Sequence, residues 1–119
     1  MGTAQFDFNG ELAIISGASR GIGRQMAISF AKAGATVIAV DRDLVALKQT
    51  SAATTTISSG SIVPFQLDIR DSRQVVKLME FVNENYGKLD ILINNAAVAP
   101  KRSLREYPES LWEKVYDIN

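Results

Sequence analysis

The sequence predicts an α/β fold built on a doubly wound parallel sheet. Short apolar runs without polar alternation recur along the chain, separated by amphipathic helical patterns, as expected for parallel strands covered on both faces. The third run contains Pro64. Because proline cannot donate to a central ladder, that strand belongs at an edge of the sheet. An outermost third strand agrees with the strand order 3-2-1-4.

The first predicted strand, 12–16, runs into Gly17, Gly21 and Gly23, and a helix is predicted over 22–33. Glycine permits a sharp turn and leaves no Cβ between the backbone and a ligand. The unpaired N–H groups of the first helical turn and the positive end of the helix dipole then favour a diphosphate. Its apolar residues recur at helical spacing and are expected to face the core of the protein: Ile22, Met26, Phe30 and Ala33.

The second predicted strand, 36–40, leads directly to Asp41, 18 positions after Gly23. A carboxylate roughly 20 residues beyond such glycines meets a ribose hydroxyl in dinucleotide sites. The spacing G-x-x-x-G-x-G differs from the general fingerprint, and glycines that serve packing alone are the alternative. The order of strand, glycines, helix, strand and carboxylate favours a Rossmann-like nucleotide site.

The rest of the chain continues the alternation. Asp43 is suited to cap a second helix that begins at Leu44, and the Ser/Thr-rich segment 50–59 predicts that this helix weakens after Lys48. The later elements are a strand over 62–67, a helix from Ser72 to Gly87 with the stripe Val75, Met79, Val82 and Tyr86, a covered strand over 91–93, and a helix entered near Pro108.

Composition excludes several classes of function. The 119 residues carry zero net charge and no basic cluster, which argues against a nucleic-acid partner. Cysteine and histidine are absent, so disulfides, thiolate metal sites and a histidine general base are excluded. With no signal peptide or membrane anchor recognisable, we expect a cytoplasmic protein.

At the level of motifs, the chain resembles the N-terminal half of a short-chain dehydrogenase/reductase along essentially its whole length. Residues 16–23 match the T/S-G-x-x-x-G-x-G cofactor loop, and 67–69 are similar to the Asp-Val element beside the adenine. Residues 94–97 resemble the N-N-A-G strand end, with Ala97 in place of the last glycine. Asn119 matches the asparagine of the Asn-Ser-Tyr-Lys tetrad, which makes it the catalytic candidate.

The resemblance implies hydride transfer between a nicotinamide and a small carbonyl or alcohol substrate, in a homo-oligomer, a dimer or tetramer. NAD is expected rather than NADP, because the charge of Asp41 would repel the 2′-phosphate, although Arg20 and Arg42 stand where family members bind that phosphate. The predicted cofactor contacts are Gly17, Ser19, Arg20, Gly21, Ile22, Gly23, Asp41, Arg42, Asp68, Ile69, Asn95, Ala96 and Ala97.

Two of these positions have simpler interpretations. Asp68 could cap the turn before Ser72, and Asn94 with Asn95 could form a turn that ends the strand, since asparagine tolerates the left-handed conformation.

The sequence contains no Tyr-x-x-x-Lys pair, so the proton donor that the resemblance implies is missing. We therefore expect residues 1–119 to be a partial NAD(P)-binding domain that does not catalyse hydride transfer by itself. The alternatives are a non-catalytic nucleotide-binding module and a structural half that needs a complementary chain. The fourth strand would be an exposed edge, which favours association.

Overall fold

The computed structural model describes residues 7–53 and 59–95, in which strands and helices alternate. Among the predicted site residues, Ala96, Ala97 and Asn119 lie outside the described residues, as does the helix expected near Pro108. The elements are β1 (Leu12–Ser16), α1 (Gly21–Lys32), β2 (Thr36–Asp41), α2 (Leu44–Ala52), β3 (Ser61–Gln66), α3 (Ser72–Asn85) and β4 (Ile91–Asn94).

The four strands form one parallel sheet in the order β3-β2-β1-β4, which confirms the predicted topology. Pro64 lies in the outermost strand β3, opposite Ala39 of β2. Ser16 at the end of β1 is in register with Val40 of β2 and with Asn94 of β4. The carboxyl ends of the strands therefore meet at one edge, where open parallel sheets bind ligands.

The core consists of two apolar clusters, one on each face of the sheet. Strand β1 is buried throughout and alternates between them: Leu12 and Ile14 pack in the cluster that includes the α3 side chains, whereas Ala13 and Ile15 pack with α1 and α2. This alternation is the period-2 geometry of a strand covered on both faces.

Helix α1 presents only part of the predicted stripe to the core, where Met26 and Phe30 pack half-buried against the cluster of α1 and α2. Ile22 is 73% exposed, and the buried positions are instead Gly23, Ala27 and Ala31. The prediction was wrong at Ile22 and missed the fully buried positions because it followed side-chain size, whereas small residues let the helix backbone approach the sheet closely. Phe30 lies on the flank, 5.0 Å from the ring of Phe8.

Helix α2 extends beyond Lys48 to Ala52, further than its composition predicts. The Thr50 hydroxyl hydrogen-bonds the carbonyls of Ala46 and Ala18, and the Ser51 hydroxyl donates to Ile62 O on β3. Tertiary partners thus satisfy the hydroxyls that would otherwise compete with the helix.

Helix α3 confirms the predicted stripe, with Val75, Met79 and Val82 buried and Tyr86 packed against their cluster. Strand β4 is covered less completely, since Ile91, Leu92 and Ile93 are all half-buried. Within the described parts of the chain, no helix combines the length and the apolar character that crossing a bilayer requires.

Candidate functional site

The site is built around the N-terminus of α1, which the glycine loop enters with two positive φ angles, 66° at Gly17 and 60° at Gly21. Helices α2 and α3 each begin with an aspartate cap: Asp43 accepts from Ala46 N at 3.0 Å, and Asp71 accepts from Arg73 N at 3.0 Å. Within residues 7–53 and 59–95, α1 has no side-chain cap and no acidic residue in its first turn. Its N–H groups and dipole therefore suit an anionic ligand.

Gly23 lies where α1, the glycine loop and the end of β4 meet. A Cβ at this position would stand 2.0 Å from Gly17 O and 2.6 Å from Asn95 Nδ2. Asn95 Nδ2 itself donates to Gly17 O at 3.4 Å. Only glycine fits this junction, so the third glycine of the motif is required by the packing of the loop against α1.

A buried serine connects the ends of β1 and β4. The Ser16 hydroxyl donates to Asn94 Oδ1 at 3.0 Å and accepts from Asn95 N at 3.0 Å. Neither asparagine has a positive φ, and the residues that would complete a turn at the end of the strand lie outside the described ones. Through these bonds, Asn94 and Asn95 hold the start of the glycine loop against β4.

Asp41, at the end of β2, is joined to the glycine loop. Its Oδ2 accepts from Ser19 Oγ at 2.7 Å and, at 3.4 Å, from Ser19 N, while Oδ1 accepts from Arg42 N at 2.7 Å. Ser19 is buried and Asp41 is half-buried. The carboxylate is thus held at the loop, and its remaining lone pairs can accept hydrogen bonds from ligand hydroxyls.

Three arginines around this edge are each near an aspartate. Arg20 Nη2 lies 3.1 Å from Asp43 Oδ2, and Asp68 Oδ2 lies 2.9 Å from Arg70 Nη2 and 3.9 Å from Arg42 Nε. Hydrogen bonds from the Arg70 side chain and backbone lower the pKa of Asp68 to about 2. The carboxylate of Asp68 is therefore ionised throughout the neutral range.

The structure agrees with the simpler interpretation of Asp68 as a cap of the turn before Ser72. Asp68 Oδ1 accepts from Arg70 N at 2.9 Å and so orders this turn, while Asp71 caps the helix α3 that follows. Ile69 is 7% exposed and its side chain packs in the core cluster of α3. The structure thus brings Asp68 to the site edge and places the Ile69 side chain in the core.

Two residues near the site were not predicted, Arg24 and Thr50. Arg24 donates from Nε to Thr50 Oγ1 at 3.0 Å and from Nη2 to Ser19 O at 2.7 Å. The sequence held one signal for this contact: Thr50 follows the buried Leu47 by three positions, which places a polar side chain on the buried face of α2.

Comparisons with known proteins agree with the geometry. A family model described as short chain dehydrogenase matches residues 11–119. The galactitol 2-dehydrogenase of Agrobacterium fabrum is 39% identical over 111 residues, which are 93% of this chain and 42% of that protein. The chain spans less than half of the length of the curated relatives it matches.

Two solved structures similar to this chain contain NADP or NADPH. A metagenomic short-chain oxidoreductase in complex with NADP has a TM-score of 0.73 and 30% identity, covering 76% of this chain and 41% of that one. The L-sorbose reductase from Gluconobacter frateurii, complexed with NADPH and L-sorbose, has a TM-score of 0.73 and 27% identity, covering 97% of this chain and 43% of that one.

Proposed function

The chain belongs to the short-chain dehydrogenase family, and we propose that it forms the dinucleotide-binding part of an NAD(P)-dependent oxidoreductase. The observation that carries the proposal is the meeting, at one sheet edge, of the uncapped α1 N-terminus with Asp41 of β2. The NADP and NADPH complexes of the two similar structures support a pyridine-nucleotide cofactor.

The described residues fit such a cofactor. The N–H groups of Gly21, Ile22 and Gly23 would hold the diphosphate, and Asp41 would accept from the hydroxyls of the adenosine ribose. Asp68 lies at the same edge, where it would border the adenine. When bound, the dinucleotide supplies or accepts a hydride at its nicotinamide, and the substrate would be a small carbonyl or alcohol compound.

We propose that NAD is preferred over NADP. The Asp41 carboxylate would stand against the 2′-phosphate and repel it. In the described part of the chain, the two arginines considered for that phosphate already lie near aspartates, Arg20 at 3.1 Å from Asp43 and Arg42 at 3.9 Å from Asp68. The two similar structures contain NADP and NADPH, which are ligands of those proteins. The preference of this chain therefore has to be measured directly.

Titration of the protein with NADH and NADPH, followed by nicotinamide fluorescence, tests both proposals. We expect saturable binding of both and tighter binding of NADH. Asp41→Asn removes the charge and keeps an acceptor for Ser19, and it should narrow the preference by roughly tenfold, or about 1.4 kcal/mol.

The matched control is Glu80→Gln, which removes one negative charge from the exposed side of α3 and should leave the preference unchanged. Tighter binding of NADPH by the unaltered protein would overturn the NAD preference. If neither dinucleotide binds, the proposed function itself is wrong.

Proton transfer to a carbonyl oxygen needs a donor that these 119 residues do not supply as a Tyr-x-x-x-Lys pair. We propose that the donor is contributed by further sequence or by a complementary chain. The chain alone should therefore bind NADH without oxidising it in the presence of small ketones. Saturable turnover with any of them would contradict this.

We also propose that the protein associates with copies of itself. Strand β1 is the only described neighbour of β4, whose Ile91, Leu92 and Ile93 stay half-exposed. Such an edge favours pairing with another chain. Sedimentation should show association that rises with concentration, and a monomer at all concentrations would refute it.

A further inference from the structure

A polar network behind the glycine loop is not explained by contact with a dinucleotide. Thr50 is completely buried on α2, and its hydroxyl accepts from Arg24 Nε at 3.0 Å. The same hydroxyl lies 3.0 Å from Ala18 O and 3.2 Å from Ala46 O, either of which can take its proton. Arg24 Nη2 donates to Ser19 O at 2.7 Å.

These bonds reach two successive carbonyl groups of the loop. Since a trans peptide is planar, fixing a carbonyl also fixes the direction of the next residue's N–H, which points the opposite way. The bond from Thr50 to Ala18 O sets the N–H of Ser19, which lies 3.4 Å from Asp41 Oδ2. The bond from Arg24 to Ser19 O sets the N–H of Arg20, the N-cap residue that immediately precedes α1.

The chemistry of the two side chains suits this task. A guanidinium donates from separate nitrogens in a rigid plane, so Arg24 can hold Thr50 on α2 and Ser19 on the loop at once. A hydroxyl accepts one bond and donates another, which places Thr50 between the arginine and the loop. Neither task can be performed by an apolar side chain of similar shape.

Resting on the function proposed above, we propose that Arg24 and Thr50 are positioning residues. They hold the glycine loop in the conformation that receives the diphosphate, so a contact between α1 and α2 sets the affinity for the dinucleotide. Neither side chain needs to touch the ligand. Their effect passes through the carbonyl groups of Ala18 and Ser19.

The test compares ligands that carry the diphosphate, NADH and ADP-ribose, with adenosine, which does not. The variants are Thr50→Val, which removes the hydroxyl at similar shape, Thr50→Ser, which keeps it, and Arg24→Gln. Affinities are measured by calorimetry or by competition binding, at a temperature well below the midpoint of each variant's thermal unfolding. The matched control is Arg73→Gln, since the Arg73 side chain is 91% exposed and lies 3.8 Å from Asp71 on α3.

We expect Thr50→Val and Arg24→Gln to bind NADH and ADP-ribose about tenfold more weakly, the effect of losing a hydrogen bond to a charged group. Adenosine affinity should fall by less, because adenosine lacks the diphosphate and depends on the network only through the Ser19 N–H that bonds Asp41. Thr50→Ser and Arg73→Gln should behave like the unaltered protein. If Arg24→Gln does not fold, Arg24→Lys replaces it, because lysine keeps the charge but lacks the planar fork.

Two failures can be told apart. Suppose that the unaltered protein binds NADH and ADP-ribose. If Thr50→Val and Arg24→Gln then bind every ligand as tightly as the unaltered protein does, or if their affinity for adenosine falls as much as their affinity for NADH, the positioning role is wrong. If the unaltered protein binds neither NADH nor ADP-ribose, the proposed function is wrong.

Discussion

Helices α1 and α3 cover opposite faces of the same sheet but are held in different ways. Helix α1 meets the sheet through Gly23, Ala27 and Ala31, where backbone atoms come close together. Helix α3 is packed through large apolar side chains and starts with an aspartate cap. Its buried residues are Val75, Leu78, Met79 and Val82.

The difference separates the ligand region from the stabilising region. Close backbone approach and polar bonds constrain the position of α1 and its loop, as a diphosphate site requires. Burial of large side chains against α3 contributes to the free energy of folding without reaching the site. Mutations on α1 should therefore affect binding, and mutations on α3 should affect stability alone.

The largest effect is expected at Gly23. In Gly23→Ala, the new methyl group would overlap Gly17 O, so the loop or helix must move. We expect a loss of about 3 kcal/mol in the free energy of unfolding, and loss of NADH binding by the remaining folded protein. Urea denaturation and fluorescence titration measure the two effects.

The control for Gly23 is Gly10→Ala. Gly10 has φ of 80°, but a Cβ there would have no heavy atom within 4 Å. It should lower stability by about 1 kcal/mol through backbone strain and leave NADH binding intact. If Gly23→Ala binds NADH as tightly as the unaltered protein, close backbone contact at Gly23 is not required for the dinucleotide site at α1.

A large effect on stability alone is expected at Leu78, which is completely buried on α3. Leu78→Ala should reduce the free energy of unfolding by about 3 kcal/mol through lost burial and a residual cavity. Under conditions where the variant is folded, its NADH affinity should equal that of the unaltered protein. If the NADH affinity of Leu78→Ala falls together with its stability, the proposed difference between α1 and α3 is wrong.

The smallest effect concerns the turn that leads into α3. Asp68 has a pKa of about 2 in the folded protein against an ordinary 3.8, so its ionised form adds stability above pH 3.8. That contribution is lost as the pH falls from about 4 through 2. Asp68→Asn should therefore unfold earlier than the unaltered protein in urea at pH 7, with the difference narrowing towards pH 2. A constant difference would mean that Arg70 does not stabilise the carboxylate.

The order of the strands could be predicted from the sequence because Pro64 restricts its strand to an edge of the sheet. The uninterrupted apolar strands must in turn be covered on both faces, which leaves few positions for them in an α/β fold. The sequence also placed Gly17, Gly21 and Asp41 at one edge, since strand ends and glycines are local features. It missed the buried face of α1, where small residues and not large ones approach the sheet. Arg24 and Thr50 are 26 positions apart, and only the packing of α1 against α2 brings them together.

The central claim is that a dinucleotide binds with its diphosphate at the N-terminus of α1. The most direct measurement is the amide ¹H–¹⁵N spectrum of the protein during titration with NADH. We predict the largest shifts at residues 17–23 and at Asp41, with little change along α3. Shifts concentrated on the outer side of α1, around Gln25 and Ser29, and absent from 17–23, would contradict it.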